Sequence, residues 1–411
     1  MKPLLSSLLS RLIRQGVLSV TWPDQTTSVF GSGGGPEAAI VFRTWSAVRR
    51  VGINPALGFG EAYMGGDLET KEGGVYDLLD LLMLNFQTGV THPVLRWHDA
   101  LGRLVRRLHE YNGLLAARRN VAHHYDLDRR LYSLFLDADQ QYSCAYFSRG
   151  NETLEEAQAA KKHHVAAKLH LTRPSLRVLD IGCGWGGMAL TLAREYGADV
   201  TGITLSSEQL ELARARASAA GVSDRVRFEL IDYRQVTERF DRIVSVGMME
   251  HVGPTNYGAY FQAVHDLLQE DGVALIHHIG RSDGPGATSA WLQKYIFPGG
   301  YSPALSETLP AIEKSGLMVT DLETLRLHYA QTLRLWRQRF AQHRDDICHL
   351  YDERFYRMFE FYLAGAELAF RRQREVVYQI QLTREQETLP LTRDYMFDGA
   401  VSSRAGIFSG I

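Results

Sequence analysis

The residues able to do chemistry fall where apolar strand-like runs end. Glu250 follows the run Asp241–Gly247, and His277 lies at the end of Val273–His278. Open α/β sheets bind ligands at the carboxyl ends of their strands, so a carboxylate and an imidazole there are candidates for acid–base work. His251 and His278 are direct neighbours and compete for the same role. Another run ends Asp180-Ile181-Gly182-Cys183-Gly184-Trp185-Gly186-Gly187. Glycines there let the backbone turn sharply and let a ligand approach more closely than a Cβ permits. At the next strand end Thr204 stands where many nucleotide-binding folds place an acid for the ribose hydroxyls. Asp232 follows the strand after that, as a ligand contact or as an ordinary turn residue. Upstream, Tyr142-Ser143-Cys144-Ala145-Tyr146-Phe147 surrounds a cysteine with aromatic rings. A lone cysteine in an apolar run is usually a small core residue. The rings of Tyr142, Tyr146 and Phe147 serve core packing, or faces that offset positive charge.

Positioning these residues requires a sheet. From Leu176 onward, strands expected at Arg177–Ile181, Asp199–Thr204, Val226–Ile231, Asp241–Gly247 and Val273–His278 alternate with helices at Gly187–Tyr196, Ser207–Ala220 and Tyr257–Leu268. That alternation predicts an α/β fold, a mostly parallel sheet with helices on both faces. Two further strands, Leu317–Leu325 and Val376–Thr383, bracket helices at Tyr329–His343 and Asp352–Arg372. The segment from about 20 to 65 is rich in β-formers, Gly and turn residues, and helices are expected at Val75 to Phe86 and Val94 to Tyr111. Leu4, Leu5, Leu8, Leu9, Leu12 and Ile13 recur at helical spacing. That helix packs on its own domain or lies in a membrane interface with Lys2, Arg11 and Arg14 near headgroups.

A chain of 411 residues predicts two domains, here 1–115 and 116–411. With 45 basic and 47 acidic residues, no overall charge draws it to nucleic acid. Cys144, Cys183 and Cys348 lack metal-type spacing, so neither a metal site nor a disulfide framework is expected and a reducing cytoplasm is the natural compartment. No apolar run approaches the roughly 20 residues needed to cross a bilayer. Eight Arg and four acidic residues between Arg96 and Arg130 make either a solvated face or a patch suited to anionic phospholipid headgroups.

The D-x-G-x-G-x-G-G turn is similar to that of S-adenosylmethionine-dependent methyltransferases. Together with the Cys144 run, Glu250-His251-Val252-Gly253, His277-His278-Ile279-Gly280 and Thr204-Leu205-Ser206-Ser207-Glu208-Gln209, the chain resembles the cyclopropane-fatty-acid synthase family. Lys294-Tyr295-Ile296-Phe297-Pro298-Gly299-Gly300, Arg357-Met358 and Glu61-Ala62-Tyr63-Met64 extend the likeness over most of the chain. The resemblance implies a Rossmann-like class I methyltransferase domain preceded by a smaller N-terminal α+β domain. It places Tyr142, Ser143, Asp180, Gly182, Gly184, Gly186, Thr204, Leu205, Gln209, Asp232 and Tyr233 around S-adenosylmethionine. It also implies a bound bicarbonate acting as general base, held by Cys144, Glu250, His277, Ile279 and Tyr329. In that scheme Cys144 and Ile279 give backbone N–H groups, His277 and Tyr329 donate from side chains, and Glu250 accepts the bicarbonate O–H.

The implied reaction adds a methylene group across the cis double bond of an unsaturated phospholipid acyl chain to form a cyclopropane. The N-terminal extension favours this phospholipid branch, acting at the inner face of the membrane as a peripheral cytoplasmic enzyme, with homodimerisation by analogy. A methyltransferase giving methylene- or methyl-branched chains shares the first step, and N-methylation of a small amine is a more distant alternative.

Overall fold

In a computed structural model of the chain, residues 1–87 and 129–397 are described. The boundary expected near residue 115, the helix expected at Val94 to Tyr111 and nearly all of the arginine-rich stretch lie outside them.

The N-terminal part begins with α1 (Lys2–Leu12), followed by β1 (Gly16–Thr21), β2 (Thr27–Gly33), β3 (Glu37–Phe42), α2 (Trp45–Ile53), α3 (Pro55–Met64), β4 (Leu68–Glu72) and α4 (Gly74–Gln87). Its sheet has the order β2-β1-β3-β4. Leu5, Leu9 and Leu12 of α1 are buried in the core of this domain, so the amphipathic stripe packs within the protein. The stretch from 45 to 64 differs from the strand-and-turn expectation by forming two helices. The Thr44 hydroxyl accepts from Ala47 N, the Asn54 side chain accepts from Leu57 N, and Pro55 occupies the first turn of α3, a sequence of start signals that outweighs the glycines. Those glycines serve close contact instead. A Cβ on Gly58 would lie 2.6 Å from the Arg50 carbonyl oxygen, and one on Gly60 would lie 2.4 Å from the Trp291 indole nitrogen.

The larger sheet contains β5 (Arg177–Ile181), β6 (Asp199–Thr204), β7 (Val226–Leu230), β8 (Phe240–Val246), β9 (Leu268–Arg281), β10 (Met318–Leu325) and β11 (Glu375–Thr383). Their order is β10-β11-β9-β8-β5-β6-β7, with β11 antiparallel to both neighbours and the pairings from β9 through β7 all parallel. Between β5 and β8 the winding reverses direction, and such a switch point opens a crevice at the strand ends. Successive residues of β5 alternate faces: Val178 packs with the helices α6 (Leu154–Lys168), α7 (Gly187–Tyr196) and α8 (Ser207–Ala219), whereas Leu179 joins a core with α9 (Tyr257–Leu267). β9 starts five residues earlier than expected because the register with β8 shifts between Phe240 and Arg242, absorbing Gln269 to Gly272 as an irregularity.

Helix α6 was not expected from the sequence, nor was α5 (Arg129–Phe135). The start of α6 is a capping box in which Glu156 N donates to the Thr153 hydroxyl and Thr153 N donates to the Glu156 carboxylate. The remaining elements are α10 (Ala290–Tyr295), α11 (Leu305–Lys314), α12 (His328–Gln342), α13 (Arg344–Leu350) and α14 (Glu353–Arg372). Through α14 the two parts share a core, since Ala364 and Leu368 are buried among N-terminal side chains. Glu61 accepts from Lys294 at 2.7 Å and from the Tyr295 hydroxyl at 2.8 Å, and Arg372 grips Asp80 with two hydrogen bonds.

Candidate active site

Two adjoining cavities open at the carboxyl edge of the large sheet. The first is lined by Tyr142, Ser143, Asp180, Gly182, Gly184, Thr204, Leu205, Gln209, Asp232 and Tyr233, among others. Every residue expected around the cofactor is therefore present except Gly186. Gly186 instead starts α7 with φ +84°, and a Cβ there would lie 2.7 Å from the Phe228 ring; it shapes the helix start behind the wall. Gly184 has φ +54° and no atom within 4 Å of its Cβ position. The Thr204 hydroxyl donates to Gln209 at 2.8 Å and accepts from Ser206 N, which ties the end of β6 to the first turn of α8. Asp232 stands where either of its possible roles can be met. It lines the cavity, and it also caps a short turn while gripping Arg234 through two side-chain hydrogen bonds.

Asp180 is buried, and its Oδ2 has no hydrogen-bond partner among the described residues. Burial pushes its carboxyl up to about 7, against the pull of the Lys161 charge. Lys161, absent from the sequence-based set, sits on α6 and is almost fully buried in the same wall. Its ammonium donates to Gln141 at 2.6 Å and to the Ser143 hydroxyl at 2.9 Å, while burial lowers its pKa to about 8. The T-x-x-E pattern of Thr153 and Glu156 was an available signal for the helix, but Lys161 lies in a run of Ala, Lys and His that reads as a solvated face.

The second cavity, of about 340 Å³, is lined by all of Cys144, Glu250, His277, Ile279 and Tyr329. It meets the first at Tyr142, Ser143, Gly247 and His251. Glu250 Oε1 accepts from Ile279 N at 2.7 Å, whereas Oε2 is buried without a partner among the described residues. The Ile279 N–H expected to face an anion is thus donated to Glu250 in this structure. Burial raises the Glu250 carboxyl to about 7. The His277 imidazole is held well below its ordinary range by burial and by the nearby Lys161 charge, so it is neutral. Gln379 Nε2 lies 3.1 Å from His277 Nδ1; with the amide donating there, the ring proton is on Nε2. Gln379 stands opposite His277 in the β9–β11 register.

Of the two competing histidines, the structure sets only His278 apart. His278 lies on the other face of β9 against the Tyr378 ring and lines neither cavity. His251 lines both. The Cys144 thiol is almost fully buried and pushed far above its usual range by that burial, which leaves it a poor nucleophile. The surrounding chain is pinned by Ala145 N donating to Thr332 and Phe147 N donating to His328. Of the expected aromatic faces, Tyr142 lines both cavities, stacks on Trp336 and shares a hydroxyl–hydroxyl hydrogen bond with Tyr362. Tyr146 is stacked between His164 and His328, and Phe147 packs against His328; neither reaches a cavity, because the extended run turns both rings toward that histidine. Their place is taken by Phe297, Tyr301, Tyr362 and Phe370.

Residues 114–380 match the family described as mycolic acid cyclopropane synthetase, and residues 4–91 match a domain of unknown function, DUF7884. The cyclopropane-fatty-acyl-phospholipid synthase of Escherichia coli (strain K12) is 37% identical over 82% of this chain and 85% of its own. The tuberculostearic acid methyltransferase UfaA1 of Mycobacterium tuberculosis is 36% identical over 92% of both. The structure of mycolic acid cyclopropane synthase CmaA1 complexed with SAH and CTAB superposes with a TM-score of 0.61 at 34% identity, covering 64% of this chain and 97% of that one. With a glycine turn, a buried carboxylate and an aromatic cavity joined at one sheet edge, the chain belongs to the mycolic acid cyclopropane synthetase family of S-adenosylmethionine-dependent methyltransferases.

Proposed function

We propose that this protein converts the cis double bond of an unsaturated phospholipid acyl chain into a cyclopropane, with S-adenosylmethionine as one-carbon donor and bicarbonate as base. The observation that carries this reading is the convergence of Cys144, Glu250, His277, Ile279 and Tyr329 on an aromatic cavity that opens into the cofactor cavity.

The residues of the first cavity fit a cationic cofactor. The buried Asp180 Oδ2 lacks a partner, and a carboxylate there suits an ammonium group. Gly184 leaves the wall open, and Thr204 and Gln209 present polar atoms already fixed by their mutual bond. When bound, the cofactor supplies an electrophilic methyl group. An alkene is a weak nucleophile, and its attack leaves positive charge on the acyl chain. Tyr142, Phe297 and Phe370 line the place where that charge develops, and each aromatic face contributes about 0.5–2 kcal/mol toward a cation.

The second cavity also fits an anion bearing a proton. Glu250 Oε2 has no partner, His277 offers a neutral N–H fixed by Gln379, and the Tyr329 ring is held between Trp336 and Phe370. Bicarbonate, when bound, supplies an anionic base between these groups. The neutral imidazole donates a hydrogen bond without competing for the proton to be removed. The N-terminal domain would present the lipid from the inner face of the membrane; among the described residues, no helix is long and apolar enough to cross one.

A second reading keeps the first step but ends in a branched chain. It is favoured by the likeness over nearly the whole chain to a protein named as a tuberculostearic acid methyltransferase. Incubating the purified protein with S-adenosylmethionine and unsaturated phospholipid vesicles, with and without bicarbonate, tests both. Cyclopropane proton signals in the product lipids, dependent on bicarbonate, are expected. Unmodified acyl chains under both conditions would overturn the proposal, and branched product would select the second reading.

A further inference from the structure

One face of the second cavity is a two-stranded ladder, with Gln379 behind His277 and outside the lining. His277, Ile279 and Arg281 of β9 stand opposite Gln379, Val377 and Glu375 of β11, and alternate residues of a strand share a face. The ladder runs from a closed end to an open one. His277 is 2% exposed and Gln379 is fully buried, whereas the Arg281 side chain is 22% exposed and Ala287, Ser289 and Gln373 beside it are exposed. Between the ends the wall is apolar, with Ile279, Val377, Leu292 and Phe297.

The open end carries polar groups that the reaction does not use. Glu375 shares a hydrogen bond with Ser302, yet its Oε2 is buried without a partner among the described residues. Arg281 donates two hydrogen bonds to Asp283, each 3.0 Å, so its charge is largely answered before any ligand arrives. An anionic phosphate finds no spare cation at this rung. A neutral ester or glycerol hydroxyl finds a carboxyl group with an open hydrogen-bonding position. Burial raises that carboxyl to about 7, where it donates to a carbonyl or accepts from a hydroxyl.

We propose that Glu375, with Ser302 and Arg281, forms a collar for the ester–glycerol end of an acyl lipid, and that its distance from His277 selects which double bond is modified. This rests on the acyl-chain activity proposed above. The collar lies four residues from His277 along β9, which spans about 13 Å at roughly 3.3 Å per residue. A hydrogen bond to the ester takes up about 3 Å of this. An extended chain advances about 1.2 Å per bond, since three backbone bonds span roughly 3.3–3.6 Å. With the alkene held level with His277, about eight bonds separate it from the ester carbonyl, which places the target near the middle of a common acyl chain.

The test uses vesicles of one diacyl phospholipid whose cis double bond lies mid-chain, nearer the ester or nearer the methyl end. The native protein is expected to favour the mid-chain isomer by about tenfold in kcat/KM, the effect of roughly one hydrogen bond. Glu375→Leu should bring the isomers to within about twofold, and Glu375→Gln should preserve the preference, both with unchanged cofactor affinity by titration. Equal rates for all isomers with the native protein, or a native isomer ratio in Glu375→Leu, would overturn the assignment. Should no isomer be modified, the acyl-chain activity itself fails, and the collar with it.

Discussion

Replacing Gln379 with Leu should impair catalysis while leaving the fold nearly as stable. Gln379 is fully buried, its Nε2 lies 3.1 Å from His277 Nδ1, and its own Oε1 has no partner among the described residues. Leucine removes one buried hydrogen bond, a loss of about 1–3 kcal/mol when the other partner stays unsatisfied. It also removes an orphaned oxygen whose burial has a cost of similar size, so the net change in stability should stay within about 1 kcal/mol. The imidazole behaves differently. Without the amide, Nδ1 is free to carry the ring proton, and the Nε2 position facing the cavity then becomes an acceptor. Losing one fixed donor at a reacting centre typically costs roughly 10²–10³ in rate. Because the tautomer mixes rather than switching fully, kcat/KM should fall by about 10–100-fold with cofactor affinity unchanged. Gln379→Glu should be worse, since a carboxylate opposite Nδ1 draws the proton there and raises the His277 pKa. Nitrogen NMR of the labelled imidazole reads the tautomer directly, and bicarbonate-dependent kinetics read the function. A Gln379→Leu protein with native kcat/KM and an unmoved His277 tautomer would refute the reasoning.

Glu250→Gln should abolish turnover with cofactor affinity intact, because Glu250 lines the second cavity with Oε2 unpartnered among the described residues while Oε1 is engaged by Ile279; isothermal titration beside product analysis separates the effects. Cofactor affinity should rise with pH and level off above about 7, since Asp180 must lose its proton to hold a cation and burial has raised that carboxyl to about 7. Asp180→Asn should bind more weakly and flatten the profile in the same titrations. Gly186→Ala should lower the melting temperature, because φ +84° costs an L-residue about 1–2 kcal/mol and the added Cβ meets the Phe228 ring. Gly184→Ala carries the conformational cost without a clash, so its larger effect should be on cofactor binding, measured by titration against the same melting series.

Asp180 and Thr204 were legible because their runs are strands as expected, whereas His277 lies inside β9, which continues to Arg281. Runs such as Arg177–Ile181 and Asp199–Thr204 are apolar enough to be central strands, and both match the structure residue for residue. The polar residue that follows such a run has little choice but to stand at the ligand edge. The sequence shows where glycines stand without showing what each one makes room for. Gly184 opens the cavity, whereas Gly186 accommodates Phe228 and Gly60 accommodates Trp291. Lys161 and Gln379 escaped notice for a shared reason. Each is a polar residue in a segment whose neighbours are compatible with solvent or with burial, and only the partner brought by the fold, Ser143 or His277, shows which applies. Tyr146 misled for the opposite reason, since its aromatic type fits a cation wall and only the local chain direction turns it toward His164 and His328.

Asp180 and Glu250 illustrate how similar carboxyls come to hold opposite charges. Both carry a buried oxygen without a partner, and burial brings both to about 7. Asp180 lies in β5 near its end and has the Lys161 charge near it, which already pulls toward the ionised form. A cation entering the first cavity adds to that pull, so the proton leaves and the ligand is held by charge. Glu250 follows β8, and its opposing influences are backbone hydrogen bonds alone. An anion entering the second cavity raises its pKa further, so a proton is retained between the two groups and their repulsion is avoided. A similarly raised carboxyl thus prepares one cavity for a positive ligand and the other for a negative one. The reacting alkene would lie between them, at the junction of Tyr142, Ser143, Gly247 and His251.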